Sequence, residues 1–426
     1  MANPNEPQSA VLVSRPQLTF ALLLTLLVVP LAVVAQAAPS ATFHVIHNFT
    51  GGKDGGTPYA GLIIDQSGNL YGTTFQGGRG VCGPQNIGCG TVFEMAPSAS
   101  GWNFQPLYAF LGNNDGAGPY AQVAFGPDGS LYGTTNQGGN QSCLSGCGVV
   151  FRVKPPTKDC QSCAWTESVL HRFQGGSDGF YPLSNVTFDK AGNLYGTTEQ
   201  SDAAGTVWEL THSHGVWTNT TIYDFYNQSG GGPYSGVVFD HGGNLYGTTE
   251  LSNNFYGGVY QLRRSGSGWT EKSLYSFQGG KHGDGPTALI LGKAGELIGA
   301  TSSGGPKRGG TAFNLTYSKG NWSFDTLYAF SDQGVGGYGP WAQLTMDAAG
   351  NLYGTTWGES PGDLGTVFKL THSSSGWKQT VLHRFTGGSD GAIPYSNIVF
   401  DNHGNLYGTA SQGGAYNDGV VFEITP

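Results

Sequence analysis

Asp189-Lys190-Ala191-Gly192-Asn193-Leu194-Tyr195-Gly196-Thr197-Thr198 is one of seven copies of a single phrase in this chain. Close copies occupy Asp65–Thr74, Asp240–Thr249, Asp347–Thr356 and Asp401–Ala410, and degenerate ones Gly126–Thr135 and Gly292–Thr301. The shared Leu falls at 70, 131, 194, 245, 297, 352 and 406, giving two early intervals of 61 and 63 residues and later ones of 51 to 55. Self-similarity at such a period marks a repeat architecture and outranks local propensity. Around the third copy, strand-like stretches fall at Ser168–Phe173, Asn185–Phe188, Asn193–Thr198 and Gly205–Leu210, and Thr221–Phe225 opens the next unit. Four strands in roughly fifty residues is the arithmetic of a propeller blade. The expected fold is all-β, a seven-bladed β-propeller of four-stranded blades.

The units lie near 50–110, 111–173, 174–225, 226–277, 278–330, 331–385 and 386–426. The last stops at Val420–Ile424, one strand short, while Val45–Phe49 matches the outer-strand pattern Val169–Phe173. The N-terminal strand is therefore expected to join the C-terminal blade and close the ring, which removes open sheet edges. Asp-x-x-Gly inside the phrase is turn chemistry, with Asp accepting backbone N–H bonds and Gly supplying a left-handed position. A calcium loop is the alternative, but the run of oxygen ligands it needs is missing. The Gly within Leu-Tyr-Gly-Thr-Thr weakens a strand, so it is expected to admit a neighbouring ring or backbone.

Composition agrees. Gly is 72 of 426 residues without a period of three, aromatics are 12 % and charged residues 11 %, which suits short strands and tight turns. A net charge of −9 with no basic cluster argues against nucleic-acid binding and against anionic membrane surfaces. Arg15, the apolar run Leu18–Val34 and Ala35-Gln36-Ala37 resemble an export signal over residues 1–37, leaving one domain over 38–426. A retained membrane anchor is the alternative. Six cysteines in three close pairs, Cys82 with Cys89, Cys143 with Cys147 and Cys160 with Cys163, point to local disulfides in an exported chain. A zinc site at the Cys160–Cys163 C-x-x-C is the alternative, and it lacks a nearby His. No metal or cofactor is expected, and the protein is expected to be a monomer.

The pattern F-x-GGSDG-x-x-PY followed by D-x-x-GNLYGTT-x-x-GG and GTVF-x-L runs from Phe173 to Leu210 and from Phe385 to Ile424. On these residues the chain resembles the secreted bacterial GloVer tandem-repeat proteins, and the resemblance covers essentially everything after residue 37. It implies a secreted, periplasmic or cell-surface location and carries no established activity. Members of that family bear varied surface anchors, whereas this sequence ends at Pro426 without such a tail, so free secretion and surface attachment are both compatible with it.

With strands lettered a to d outward from the axis, the b–c and d–a loops of a blade share one face. The d–a loop ends in a Pro followed by Tyr59, Tyr120, Leu183, Tyr234, Thr287, Trp341 and Tyr395 in successive units. Two residues further on stand the amides Gln122, Asn185, Gln343 and Asn397. Rings and amides at a channel mouth suit a neutral polar ligand such as a polysaccharide. The candidate ligand-binding residues are Tyr59, Tyr120, Gln122, Asn185, Tyr234, Trp341, Gln343, Tyr395 and Asn397, with packing between blades as the structural alternative. The Asp-Gly pairs at Asp54, Asp115, Asp178 and Asp390 read as turns before acid–base groups. Gly175–Gly179 and Gly387–Gly391 match G-x-S-x-G, but no helix pattern follows and no triad is placed. The sequence therefore favours a non-enzymatic extracellular binding protein. The rivals are a lyase or hydrolase acting on a glycan or lactone at the channel mouth, and an architectural envelope protein.

Overall fold

The computed structural model describes residues 41–83, 86–157, 159, 163–226, 231–250, 256–266, 268–333, 336–358 and 362–426. The proposed export signal and Cys160 lie outside them. The strands form seven antiparallel sheets arranged as the blades of a propeller. The third is typical, with strand a Thr187–Phe188, b Leu194–Thr198, c Thr206–Ser213 and d Val216–Asp224, each paired to the next. The fifth carries an extra short strand, Asp284–Pro286, on the far end of its b strand. This is the unit whose d–a loop departs from the repeat.

Ring closure follows the expected splice. Thr42–Asn48 pairs with Val420–Thr425, which continues to Leu406–Ala410 and Val399–Phe400, so the seventh blade takes its outer strand from the N-terminal side. Phe43 stacks on His383 at 3.6 Å and on Phe422 at 5.5 Å, and Phe49 is fully buried against Leu62, Leu70 and Phe93 of the first blade.

The repeated strand b has no polar face because it is covered on both sides, so all five of its residues are buried. Its alternation distributes side chains between two seams. Leu194 packs toward blade two and Tyr195 toward blade four, and the same division holds for Leu70 and Tyr71, and for Leu406 and Tyr407. The hydrophobic core is a set of seams between blades rather than one central mass. Gly196 faces the Leu194 seam directly opposite Trp208 of strand c, and a Cβ there would stand 2.3 Å from Trp208 Cζ2. The glycine is the socket for the ring, as expected.

The first Thr of the phrase ties blades together. Thr73 Oγ1 donates to the Ala121 carbonyl of the next blade at 3.2 Å, Thr197 to Pro233 at 2.8 Å and Thr355 to Ser396 at 2.8 Å. Thr409 donates to the Ala60 carbonyl at 2.8 Å, across the closure. The Asp of the phrase acts as turn anchor. Asp189 accepts from the backbone N–H of Ala191 and Asn193 at 2.8 and 2.9 Å, from Asn193 Nδ2 at 2.9 Å and from Tyr195 Oη at 3.2 Å. The loop Asp-Gly residues are turn anchors too. Asp178 accepts from the Gln174 N–H at 2.8 Å and pairs with His171 Nε2 at 3.0 Å. Among the described residues no helix is long and apolar enough to cross a membrane.

Glu167 in the outer strand Thr166–Arg172 is an exception to this economy, because its Oε1 is buried without a hydrogen-bond partner among the described residues. Burial, with the Asp115 carboxylate adding, pushes its carboxyl up to about 7 from an ordinary value of 4.5. A carboxyl raised on folding binds its proton more tightly in the native state, so stability falls as pH rises through the window from 4.5 to about 7. Glu167→Gln is expected to melt at a higher temperature than the parent above pH 7, with the gap closing toward pH 4.5. Parallel thermal scans check this, and a gap that widens on acidification would contradict it.

Candidate functional site

Short bridges join the d–a loop to the b–c loop at Gly56–Gln76, Ala117–Gln137, Phe180–Gln200 and Ala392–Gln412, which puts both loop sets on one face. At its centre lies a cavity of about 150 Å³, lined by residues from all seven blades and therefore on the axis. All nine candidate ligand-binding residues are in its wall. The Pro-aromatic step places each ring there, because Pro ends the loop and the following residues are held by the Thr bonds described above.

The rings are not evenly distributed. Tyr59 stacks on Tyr120 at 4.9 Å and touches Tyr395 at 5.6 Å, and Tyr395 meets Trp341 at 6.3 Å. Phe75 packs edge-on against Tyr59 at 5.4 Å and Trp357 stacks on Tyr395 at 6.0 Å. Blades six, seven, one and two thus present a continuous aromatic wall whose rings are half-buried.

The opposite side is acidic. Tyr234 Oη donates to Glu199 Oε1 at 3.0 Å and also interacts with the Glu250 carboxylate, which lines the cavity. Burial first, then the neighbouring Glu199 charge, pushes the Glu250 carboxyl above the usual range, and the Tyr234 hydrogen bond opposes them. Burial and the same two carboxylates raise the Tyr234 hydroxyl, so Tyr234 stays a proton donor.

Part of the amide set serves the scaffold. Gln122 Nε2 donates to the Leu62 carbonyl at 2.5 Å, and Gln343 Nε2 to the Leu289 carbonyl at 2.7 Å, each reaching the preceding blade. Asn185 lies over Gly236 and Asn397 over Gly61 of the following blades, where a Cβ would come within 2.3 and 1.6 Å of the amide oxygens. Sequence reasoning missed Phe75, Glu199, Glu250 and Trp357. All four occupy one register position, the residue after Leu-Tyr-Gly-Thr-Thr, which runs Phe, Asn, Glu, Glu, Ser, Trp, Ser around the ring.

Two cysteine pairs rigidify the same face. Cys82–Cys89 closes the b–c loop of blade one and Cys143–Cys147 that of blade two. The first sits against Gly112, where a Cβ would meet Cys82 Sγ at 2.2 Å. In the second loop, Ser142 Oγ donates to the Gln174 carbonyl at 2.8 Å. Cys163 is also disulfide-bonded. No group of three or more metal-ligating side chains occurs among the described residues.

The model of the Gloeobacter/Verrucomicrobia repeat matches residues 32–201 and 251–426. The chain belongs to this family. No curated protein matches it. The fold of this Gloeobacter/Verrucomicrobia repeat protein is similar to the extracellular domain of a protein described as a hybrid two-component system from B. thetaiotaomicron, with TM-score 0.50 and 12 % identity. That alignment covers 90 % of this chain and 41 % of the other, so this chain spans less than half of that structure's length. A protein described as an oxidoreductase (glucose dehydrogenase) from Thermus thermophilus aligns over 91 % of this chain and 100 % of its own, with 13 % identity and TM-score 0.41. One of unknown function from Dyadobacter fermentans aligns over the same shares, with 12 % identity and TM-score 0.44.

Proposed function

We propose that this repeat protein is exported and binds an extracellular polysaccharide or other glycan at the channel mouth. The observation that carries the proposal is the aromatic wall. Tyr59, Tyr120, Tyr395 and Trp341 come from four separate blades and meet around one open cavity. Sugar rings stack on such surfaces through their apolar faces, while hydroxyls take hydrogen bonds from the polar groups beside them. The disulfides favour an oxidising compartment. Residues 1–37 act as the export signal, and the remaining chain works as a single binding domain.

A glycan array or affinity electrophoresis against plant and microbial polysaccharides tests this, with Trp341→Ala and Tyr395→Ala alongside the parent. Each substitution is expected to weaken retention severalfold, up to about tenfold, as for a stacked ring worth about 0.5–1.5 kcal/mol. Retention that survives both would sink the site.

A second reading, a glycan- or lactone-directed hydrolase or lyase, gains support from Glu199 and Glu250 flanking Tyr234, since a pair of carboxyls can supply a general acid and a general base. Release of new reducing ends from a bound glycan, abolished in Glu250→Gln, would favour it over binding alone.

A further inference from the structure

The axial cavity joins two chemistries that a neutral sugar does not need together. One side is a continuous aromatic wall, with Tyr59, Tyr120, Tyr395 and Trp341 facing the opening. Across it, Glu250 lines the opening and interacts with the Tyr234 hydroxyl, which donates to Glu199 at 3.0 Å; Glu199 is outside the cavity lining and also accepts from Gln200 Nε2 at 3.2 Å. Among the described residues no Lys or Arg lines the cavity and neither carboxylate has an ion-pair partner. The contrast lies between the same two blades, where Glu209 of the third is met by Arg264 of the fourth at 3.0 Å. A half-buried pair of carboxylates costs free energy through desolvation and mutual repulsion unless a cation relieves both. A protonated amine does so, and aromatic faces attract the same charge.

Building on the glycan-binding proposal, we propose that the channel mouth is specific for a glycan bearing free amino groups, such as an oligomer of deacetylated amino sugar. The ammonium group sits between Glu199 and Glu250, and the sugar ring lies on the Tyr59–Tyr120–Tyr395 side. A cavity of about 150 Å³ is of the size that holds one six-membered ring, so a single sugar residue enters it and the rest of the oligomer lies across the face. N-acetylation of that sugar removes the charge and leaves the two carboxylates facing an amide. Discrimination against the acetylated or hydroxyl analogue follows from the loss of a charge-assisted hydrogen bond.

Isothermal titration at pH 6 with three tetramers, of glucosamine, of N-acetylglucosamine and of glucose, tests this directly. The glucosamine tetramer is expected to bind at least about tenfold tighter than the other two. Glu250→Gln and Glu199→Gln should each reduce that preference to near unity. Asp325→Asn, an exposed position on the outer strand of blade five, controls for general attraction of a cation to a chain of net charge −9 and should leave the preference intact. Equal affinity for all three tetramers, or a preference that persists in both Gln variants, overturns the amino-sugar inference and leaves glycan binding standing. Failure of all three tetramers to bind, together with a blank glycan array, overturns both.

Discussion

Deletion of residues 42–49 should leave a protein that melts on the order of ten degrees or more below the parent, the largest effect expected from any short excision. The segment is the whole outer strand of blade seven, and it pairs along its length with Val420–Thr425. Without it, strand c of that blade becomes an exposed edge. The seam lined by Phe385, Ile398 and Phe422 also loses Phe43 and Val45, and the seam with blade one loses the fully buried Phe49. Burying a large apolar side chain contributes about 1.5–3 kcal/mol. Three or four of them together approach the net stability of a typical domain, about 5–15 kcal/mol. The Thr409 bond to Ala60 still spans the closure after deletion, but one such bond contributes only about 1 kcal/mol. Differential scanning calorimetry reads the result. Supplying residues 42–49 as a free peptide should restore part of the loss by adding the missing strand in trans. An unchanged melting curve would refute closure by this strand.

How much of this could be read before the structure depends on whether a residue repeats. The Asp-x-x-Gly-Asn turn, the buried strand and the Pro-aromatic step recur in most copies, so each copy reinforced the others, and blade number, strand order and closure followed. The roles of Thr73, Thr197, Thr355 and Thr409 in tying neighbouring blades were not legible, because a Thr in a strand carries no mark of which blade its hydroxyl reaches. The acidic side of the mouth was hidden for the opposite reason. The residue after Leu-Tyr-Gly-Thr-Thr differs from copy to copy, so Glu199 and Glu250 looked like noise at a variable position. Only the ring shows which of these positions come near the axis, where Glu250 and Ser302 line the cavity. The recurring Pro-aromatic step supplies most of the rings of the mouth, and a position that differs from copy to copy supplies its acidic side. The amides show the limit of both arguments, since Gln122 and Gln343 reach backbone carbonyls of the preceding blade that no alignment of copies would reveal.

Gly196→Ala is expected to destabilise the protein by about 1–3 kcal/mol although it adds a single methyl to a residue with ordinary backbone geometry. Gly196 is absent from the positive-φ positions, so the cost does not come from the backbone. It comes from Trp208, the cross-strand neighbour, which is fully buried and lies across the glycine so closely that the new methyl would stand 2.3 Å from Cζ2 and 2.9 Å from Cε2. The indole has nowhere to retreat, because Phe173, Val186, Leu194 and Leu210 fill the same seam. Other blades repeat the arrangement with smaller rings, as at Gly72 beneath Phe93 and Gly354 beneath Phe368, where the corresponding approaches are 2.6 and 2.9 Å. The equivalent Ala substitution at Gly354 should therefore cost less than at Gly196. Trp208→Leu alone should also destabilise, through the cavity left by the lost ring. Combined with Gly196→Ala it should cost less than the two separately, because the methyl then occupies space the indole has vacated. A double-mutant cycle by urea unfolding measures the coupling. Strict additivity would mean that the glycine is there for a reason other than the ring.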